Sequence, residues 1–226
     1  MNAFIAAVRA IVWKDLASEW RSREQMASMF FFALLTLFIF NFSLNLDPAQ
    51  VRELMPGLIW IAFSFTAVIG LGRSFIAERE NDCLDALLMS PAPKGALYLG
   101  KLTANLLFTL AVEVVLFPLF VLFFNFDPGP DWPMLLPVFA LGTLGLAALG
   151  TLFSAMMVQV RARELMFPIL TLPLAFPVII GAVQATAAVL AAKPLAHYSG
   201  WLQLLTAFDL VFVIVAYWTF EFVLES

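Results

Sequence analysis

Two carboxylates stand alone in long apolar runs: Glu113 between Leu102 and Phe126, and Asp209 between Leu202 and Phe220. A carboxyl group in such surroundings is costly and is a functional candidate by default, as a relay for protons or substrate. The plainer role is a hydrogen bond to a neighbouring helix, or a carboxyl kept neutral, because no second charge lies within one turn of either. A third feature, Gly95-Ala-Leu-Tyr-Leu-Gly100-Lys101, fits the opening of a phosphate-binding loop. Leu102 stands where that loop needs a Ser or Thr for Mg²⁺, and the segment opens an apolar run instead of joining a strand to a helix. It is not read as a nucleotide site. Cys83 is the only cysteine, which leaves no intrachain disulfide and no thiolate metal site. No metal site and no catalytic constellation emerge.

The elements that hold these residues follow from composition. Of 226 residues, 63% are hydrophobic and 12% charged. Soluble domains carry about 25% charged residues. A soluble chain of this size could not hide so much apolar surface in one core. Lipid is the remaining solvent, which excludes a soluble enzyme, a nucleic-acid binder and a disordered chain. No signal peptide is apparent in the charged first 24 residues, so targeting is expected from the first span.

A spanning helix needs about 20 apolar residues. Six charge-poor stretches meet that length, near 25–46, 54–72, 102–126, 134–160, 165–192 and 202–220. Their length argues helix, since barrel strands show segments of about ten alternating residues. Pro118, Pro168, Pro173 and Pro177 are expected to kink their helices. Ten of the twelve basic residues fall in three segments that parity puts on one side. The positive-inside rule makes that side cytoplasmic, with both termini there. Outer loops are short, and no domain is expected outside the membrane on either face.

Two cytoplasmic elements stand out. Residues 1–24 place Phe4, Ile5, Val8, Ile11, Val12, Leu16 and Trp20 at helical spacing. Such a helix lies flat at the inner interface, as an anchor or also as a contact for a partner. Residues 74–91 form a second amphipathic helix, with Ile76, Cys83, Leu84, Leu87 and Leu88 on one face and Glu78, Arg79, Glu80, Asp82 and Asp85 on the other. Ser90-Pro91-Ala92-Pro93 ends it. It is either a loop helix resting on the bilayer or a lever between two spans. Arg161-Ala-Arg163-Glu164 echoes Arg21-Ser-Arg23-Glu24 at another cytoplasmic boundary. It is either local boundary charge or a second, smaller coupling contact. Thr143, Ala147, Thr151 and Ala155 recur every four residues, a small-residue stripe for close packing within the chain or in a dimer, or for a substrate path.

Glu78-Arg79-Glu80 followed by Leu84-Asp85-x-Leu87-Leu88-x-Ser90-Pro91 resembles the coupling-helix motif of ABC-2 exporter permeases. The stretch from Pro91 to Phe108 is more narrowly similar to the CcmB family, permease subunits of the heme-handling ABC complex of cytochrome c maturation. The resemblance implies an all-α integral membrane protein with six transmembrane helices, in the ABC-2 (type V exporter-like) permease fold. An N-terminal interface helix and a cytoplasmic coupling helix belong to that fold.

It also implies a non-catalytic subunit in the bacterial inner membrane. ATP would bind a partner ATPase similar to CcmA, and heme would be handled by the complex. A second permease copy and subunits similar to CcmC, CcmD and CcmE would complete the assembly. Motion would enter through Glu78, Arg79, Glu80, Leu84, Asp85, Leu87, Leu88, Ser90 and Pro91, with a second contact at Arg161, Arg163 and Glu164. The lone histidine, His197, invites a heme-ligand reading. One histidine gives no bis-His pair, and the six Trp form no cluster, so a main heme site is expected on another subunit. Two rival readings stay open: an ABC-2 permease exporting a lipid, drug or polysaccharide, and an ATP-independent transporter or scaffold.

Overall fold

A computed structural model describes residues 2–44, 46–75, 78–79, 93–158, 160 and 162–225. Among them are seven α-helices and no strand: α1 Asn2–Ser22, α2 Glu24–Ser43, α3 Pro48–Leu71, α4 Lys94–Phe123, α5 Leu135–Met157, α6 Arg163–Leu190 and α7 Ser199–Glu225. Short 3₁₀ turns at Trp132–Met134 and Leu195–His197 precede α5 and α7. The six helices from α2 to α7 are long and apolar enough to cross a membrane.

The helices outrun the charge-free stretches at several ends. α3 starts at Pro48 because the Asp47 side chain accepts the backbone N–H groups of Ala49 and Gln50. The Gln50 side chain accepts the Asp47 N–H in return, a capping box that draws Arg52 and Glu53 into the helix. α4 starts at Lys94, directly after Pro93, so Lys101 lies inside the helix and not at its edge. α4 and α6 stay helical through Pro118, Pro168, Pro173 and Pro177. Neighbouring helices that satisfy freed carbonyls make this tolerable in a membrane bundle.

Two helices form the interior. In α3 and α5, 72% of the apolar window is buried, against 17% in α2 and α7 and 33% in α4 and α6. α5 packs against α3, α4, α6 and α7, and α1 lies across α4. The glycines of α5 permit this crowding. A Cβ on Gly142 would strike the Trp60 ring, one on Gly150 would strike Leu71, and one on Gly145 would meet Val178 and a carboxyl oxygen of Asp209. Small residues let membrane helices close to van der Waals distance without a hydrophobic driving force. Trp60, Phe63 and Phe139 then meet edge to face at 5.3–6.0 Å between centroids. Trp60 Nε1–H donates to Thr186 Oγ1 at 2.9 Å, which satisfies the indole deep in the bundle.

The small-residue stripe of α5 is buried within the chain itself: Thr143, Ala147, Thr151 and Ala155 are all inaccessible or nearly so. Its two threonines bond to α4, at Glu113 and Asn105. This is packing inside the chain, which narrows the options left open above.

Candidate functional site

At one end of the bundle the last residues of α3 lead into Glu78 and Arg79. The backbone N–H of Arg79 donates to the Phe75 carbonyl, and the turn buries Ser74, Phe75 and Glu78. Lys101, about two helical turns inside α4, extends toward them. Its Nζ lies over the Phe75 ring, 4.9 Å from the centroid, so the ammonium meets the ring's electron-rich face. Its Nζ donates to the Ser74 carbonyl at 2.8 Å and to Glu78 Oε1 at 2.5 Å. It also stands 3.2 Å from Asp15 Oδ2 on α1. All three ammonium donors are thus engaged, which is what makes a lysine that is 2% exposed tolerable.

Lys14 on α1 closes the ring. It pairs with Asp15 at 3.0 Å and contacts Glu78 Oε1 as well. Two lysines and two carboxylates therefore join α1, the segment after α3, and α4. Burial alone would push the Glu78 carboxyl up, but the charges of Lys101 and Lys14 outweigh it and hold the group below its ordinary value of 4.5. For Lys14, burial pulls down, while Glu78 and Asp15 pull up and prevail, above the ordinary 10.5. The Arg79 guanidinium donates to the Val158 carbonyl at the end of α5, adding a fourth element.

The cluster continues inward as a stripe. Lys101, Asn105, Thr109 and Glu113 recur every four residues on α4, and all are buried. Asn105 Nδ2 donates to Ser74 Oγ at 2.8 Å and to Thr151 Oγ1 on α5 at 2.9 Å. Glu113 carries both oxygens within 2.8 Å of the Thr143 hydroxyl on α5. Glu113 therefore has the interhelical partner that the plainer reading expects. Asp209 does not: it is buried against Gly145 and Val178, and neither oxygen has a hydrogen-bond partner.

Of the sequence candidates, Glu78 and Arg79 are brought into this cluster. Glu80, Leu84, Asp85, Leu87, Leu88, Ser90, Pro91 and Arg161 lie outside the described residues. Arg163 opens α6 and Glu164 follows it, while their side chains lie outside what is described. His197 is exposed in the 3₁₀ turn before α7, and among the described residues no group of three His, Cys, Asp or Glu could hold a metal ion. Sequence reasoning missed Lys14, Asp15, Lys101 and Asn105. The signal was present for the last two: polar residues at a strict four-residue spacing in an otherwise apolar helix.

Comparison with known proteins agrees with this architecture. The family profile described as CcmB protein matches residues 6–226. A heme exporter protein B of Pseudomonas aeruginosa is 30% identical over 194 residues, covering 84% of this chain and 85% of that protein. Proteins of the same name from Paracoccus denitrificans and Haemophilus influenzae are each 27% identical, covering 79% and 75% of this chain and 81% and 76% of theirs. Six spans, a buried charge cluster at one end and a match along nearly the whole length lead to one assignment: the chain belongs to the CcmB family of membrane permease subunits.

Proposed function

We propose that this chain is the permease subunit of an ABC transporter complex in c-type cytochrome biogenesis. It couples ATP hydrolysis on a separate ATPase chain to heme export or transfer, or to release of a heme-loaded periplasmic chaperone. The name heme exporter protein B on its relatives supports the substrate class. One structural observation carries the coupling: Glu78 is held at once by Lys14 of α1 and Lys101 of α4. A push on the segment that begins at Glu78 is therefore felt by the N-terminal helix and by a span together.

In this reading the chain supplies no catalytic group, and ATP sits on a partner similar to CcmA. Glu80, Leu84, Asp85, Leu87, Leu88, Ser90 and Pro91 continue the coupling surface, and Arg161, Arg163 and Glu164 add to it. A second permease copy and subunits similar to CcmC, CcmD and CcmE complete the complex in a bacterial inner membrane, with both termini cytoplasmic. An ATP-independent transporter is the rival that Asp209 favours, since an unpartnered intramembrane carboxyl suits a proton-linked step.

Purification from native membranes separates the two. The coupling reading expects an ATPase to co-purify, and charge reversal at Glu78 and Glu80 to leave insertion and ATP hydrolysis intact while abolishing the transport or release step. Full coupled activity in that variant, or no associated ATPase, would sink it.

A further inference from the structure

The charge cluster forms one wall of a cavity of about 1110 Å³, at the end of the bundle where α1, α2, α3, α4, α5 and α6 meet. Its buried lining mixes apolar side chains, Val68, Phe108 and Phe167 among them, with Ser74, Lys101, Asn105 and Ser154, while Glu24 and Arg73 are exposed on its rim. That volume is just above the usual range of small-molecule sites, about 300–1,000 Å³. A cavity that offers apolar surface beside charged groups, in a membrane bundle, suits an amphipathic molecule.

The rim specifies the head of that molecule. Glu78 is 6% exposed, and while both lysines take its Oε1, its buried Oε2 has no partner. A buried carboxylate oxygen left without a donor is costly. Glu24 is exposed on the same rim and adds a second negative group. Arg73 is also exposed there, and no ion pair to it is recorded among the described residues. The site thus offers an acceptor for an N–H cation beside a guanidinium suited to a phosphate.

We propose that this cavity binds a zwitterionic phospholipid whose headgroup carries a primary ammonium, namely phosphatidylethanolamine. The ammonium donates to Glu78 Oε2, the phosphate pairs with Arg73, and the start of an acyl chain packs on Val68, Phe108 and Phe167. Choline headgroups carry no N–H and cannot satisfy Glu78. Glycerol headgroups bring no cation at all. The inference rests on the cavity and on membrane insertion, and not on ATPase coupling, so either can fail alone.

The test is competitive lipid retention on the purified full-length chain, by native mass spectrometry. Phosphatidylethanolamine, phosphatidylcholine and phosphatidylglycerol with identical acyl chains are supplied together. The ethanolamine lipid is expected to be retained about tenfold over the choline lipid, the worth of one charge-assisted hydrogen bond. Stepwise N-methylation of the headgroup should erode the preference. Glu78→Gln should bring ethanolamine and choline lipids toward parity. Arg73→Gln, at an exposed position that leaves the fold intact, should lower retention of both about equally. Equal retention of all three lipids by the native chain overturns the proposal, as does preference for phosphatidylglycerol. Total lipid retention that is undiminished in Arg73→Gln also overturns it, by showing that the lipid sits on the outer apolar faces.

Discussion

At the residue scale, Lys101 sets the energetics. Its buried ammonium, with that of the exposed Lys14, lets Glu78 and Asp15 approach one another. Lys101→Met leaves Glu78 buried with only the exposed Lys14 beside it. A loss of about 3 kcal/mol is expected, read as a lower thermal midpoint of the purified protein. The double variant Lys101→Met with Glu78→Met removes both buried charges and should recover most of that stability. Coupled activity should not return with it. If one change restores both, the cluster is structural only.

The same pair predicts a pH dependence. Glu78 has a folded value below its ordinary 4.5, so its stabilising contribution is full above about that pH. It is lost as pH falls through the folded value. Lys14, raised above 10.5, contributes fully below that pH and loses its contribution only in stronger base. Thermal midpoints measured from pH 7 downward should therefore fall below about pH 4.5 in the native protein. The fall should be shallower in Glu78→Gln. Identical profiles would contradict the ion-pair account.

The sequence made Glu78 legible, because it sits in a recognisable motif. Lys101 was hidden by its setting: a lysine in Gly-x-x-x-x-Gly-Lys invites a phosphate reading, and its true partners lie 86 and 23 residues away. Only the fold brings those together.

At the element scale, α5 is the axis on which the bundle closes. Its glycines meet rigid neighbours, above all the Trp60 ring at Gly142. Gly142→Val should cost about 1–3 kcal/mol, since overpacking a close-packed interface displaces whole helices. Gly57 makes the control. It lies in α3 with nothing near the position of a Cβ, so Gly57→Ala should be neutral or stabilising by up to about 1 kcal/mol. Thermal midpoints of the two variants check both signs. Run length was enough to find the six spans, because twenty apolar residues have few other fates. It misplaced their ends. Counting uncharged residues stops at the first charge, whereas Arg52, Glu53 and Lys101 are helical. Caps and partners decide where a helix stops, and the Asp47 capping box was readable in Asp47-Pro48-Ala49-Gln50.

At the scale of the whole molecule, the charges divide the two faces. Arg52 near the start of α3 and Lys193 after α6 lie at one end, and the described Lys14, Arg73, Arg79 and Lys101 lie at the end that holds the cluster and its cavity. In the proposed orientation that end faces the cytoplasm. Single cysteines placed at Asp131 or Lys193 in a Cys83→Ser background should react with an impermeant maleimide on intact cells. Cysteines at Arg21 or Ser22 should react only after permeabilisation. The reverse pattern would invert the topology and remove the ATPase from the coupling face.

The junction between α1 and α2 carries a further consequence. Arg23 sits there with φ at 57°, a left-handed conformation, while the Glu19 side chain accepts the Met26 N–H at 2.7 Å. The elbow is thus one residue long and pinned from inside. An α-helix turns about 100° per residue. One extra residue at this elbow would rotate the azimuth of α1 by that angle, carrying Lys14 and Asp15 off the cluster while hydropathy and composition stay nearly the same. The length of the elbow, as much as any side chain, is therefore a key cut to fit this lock.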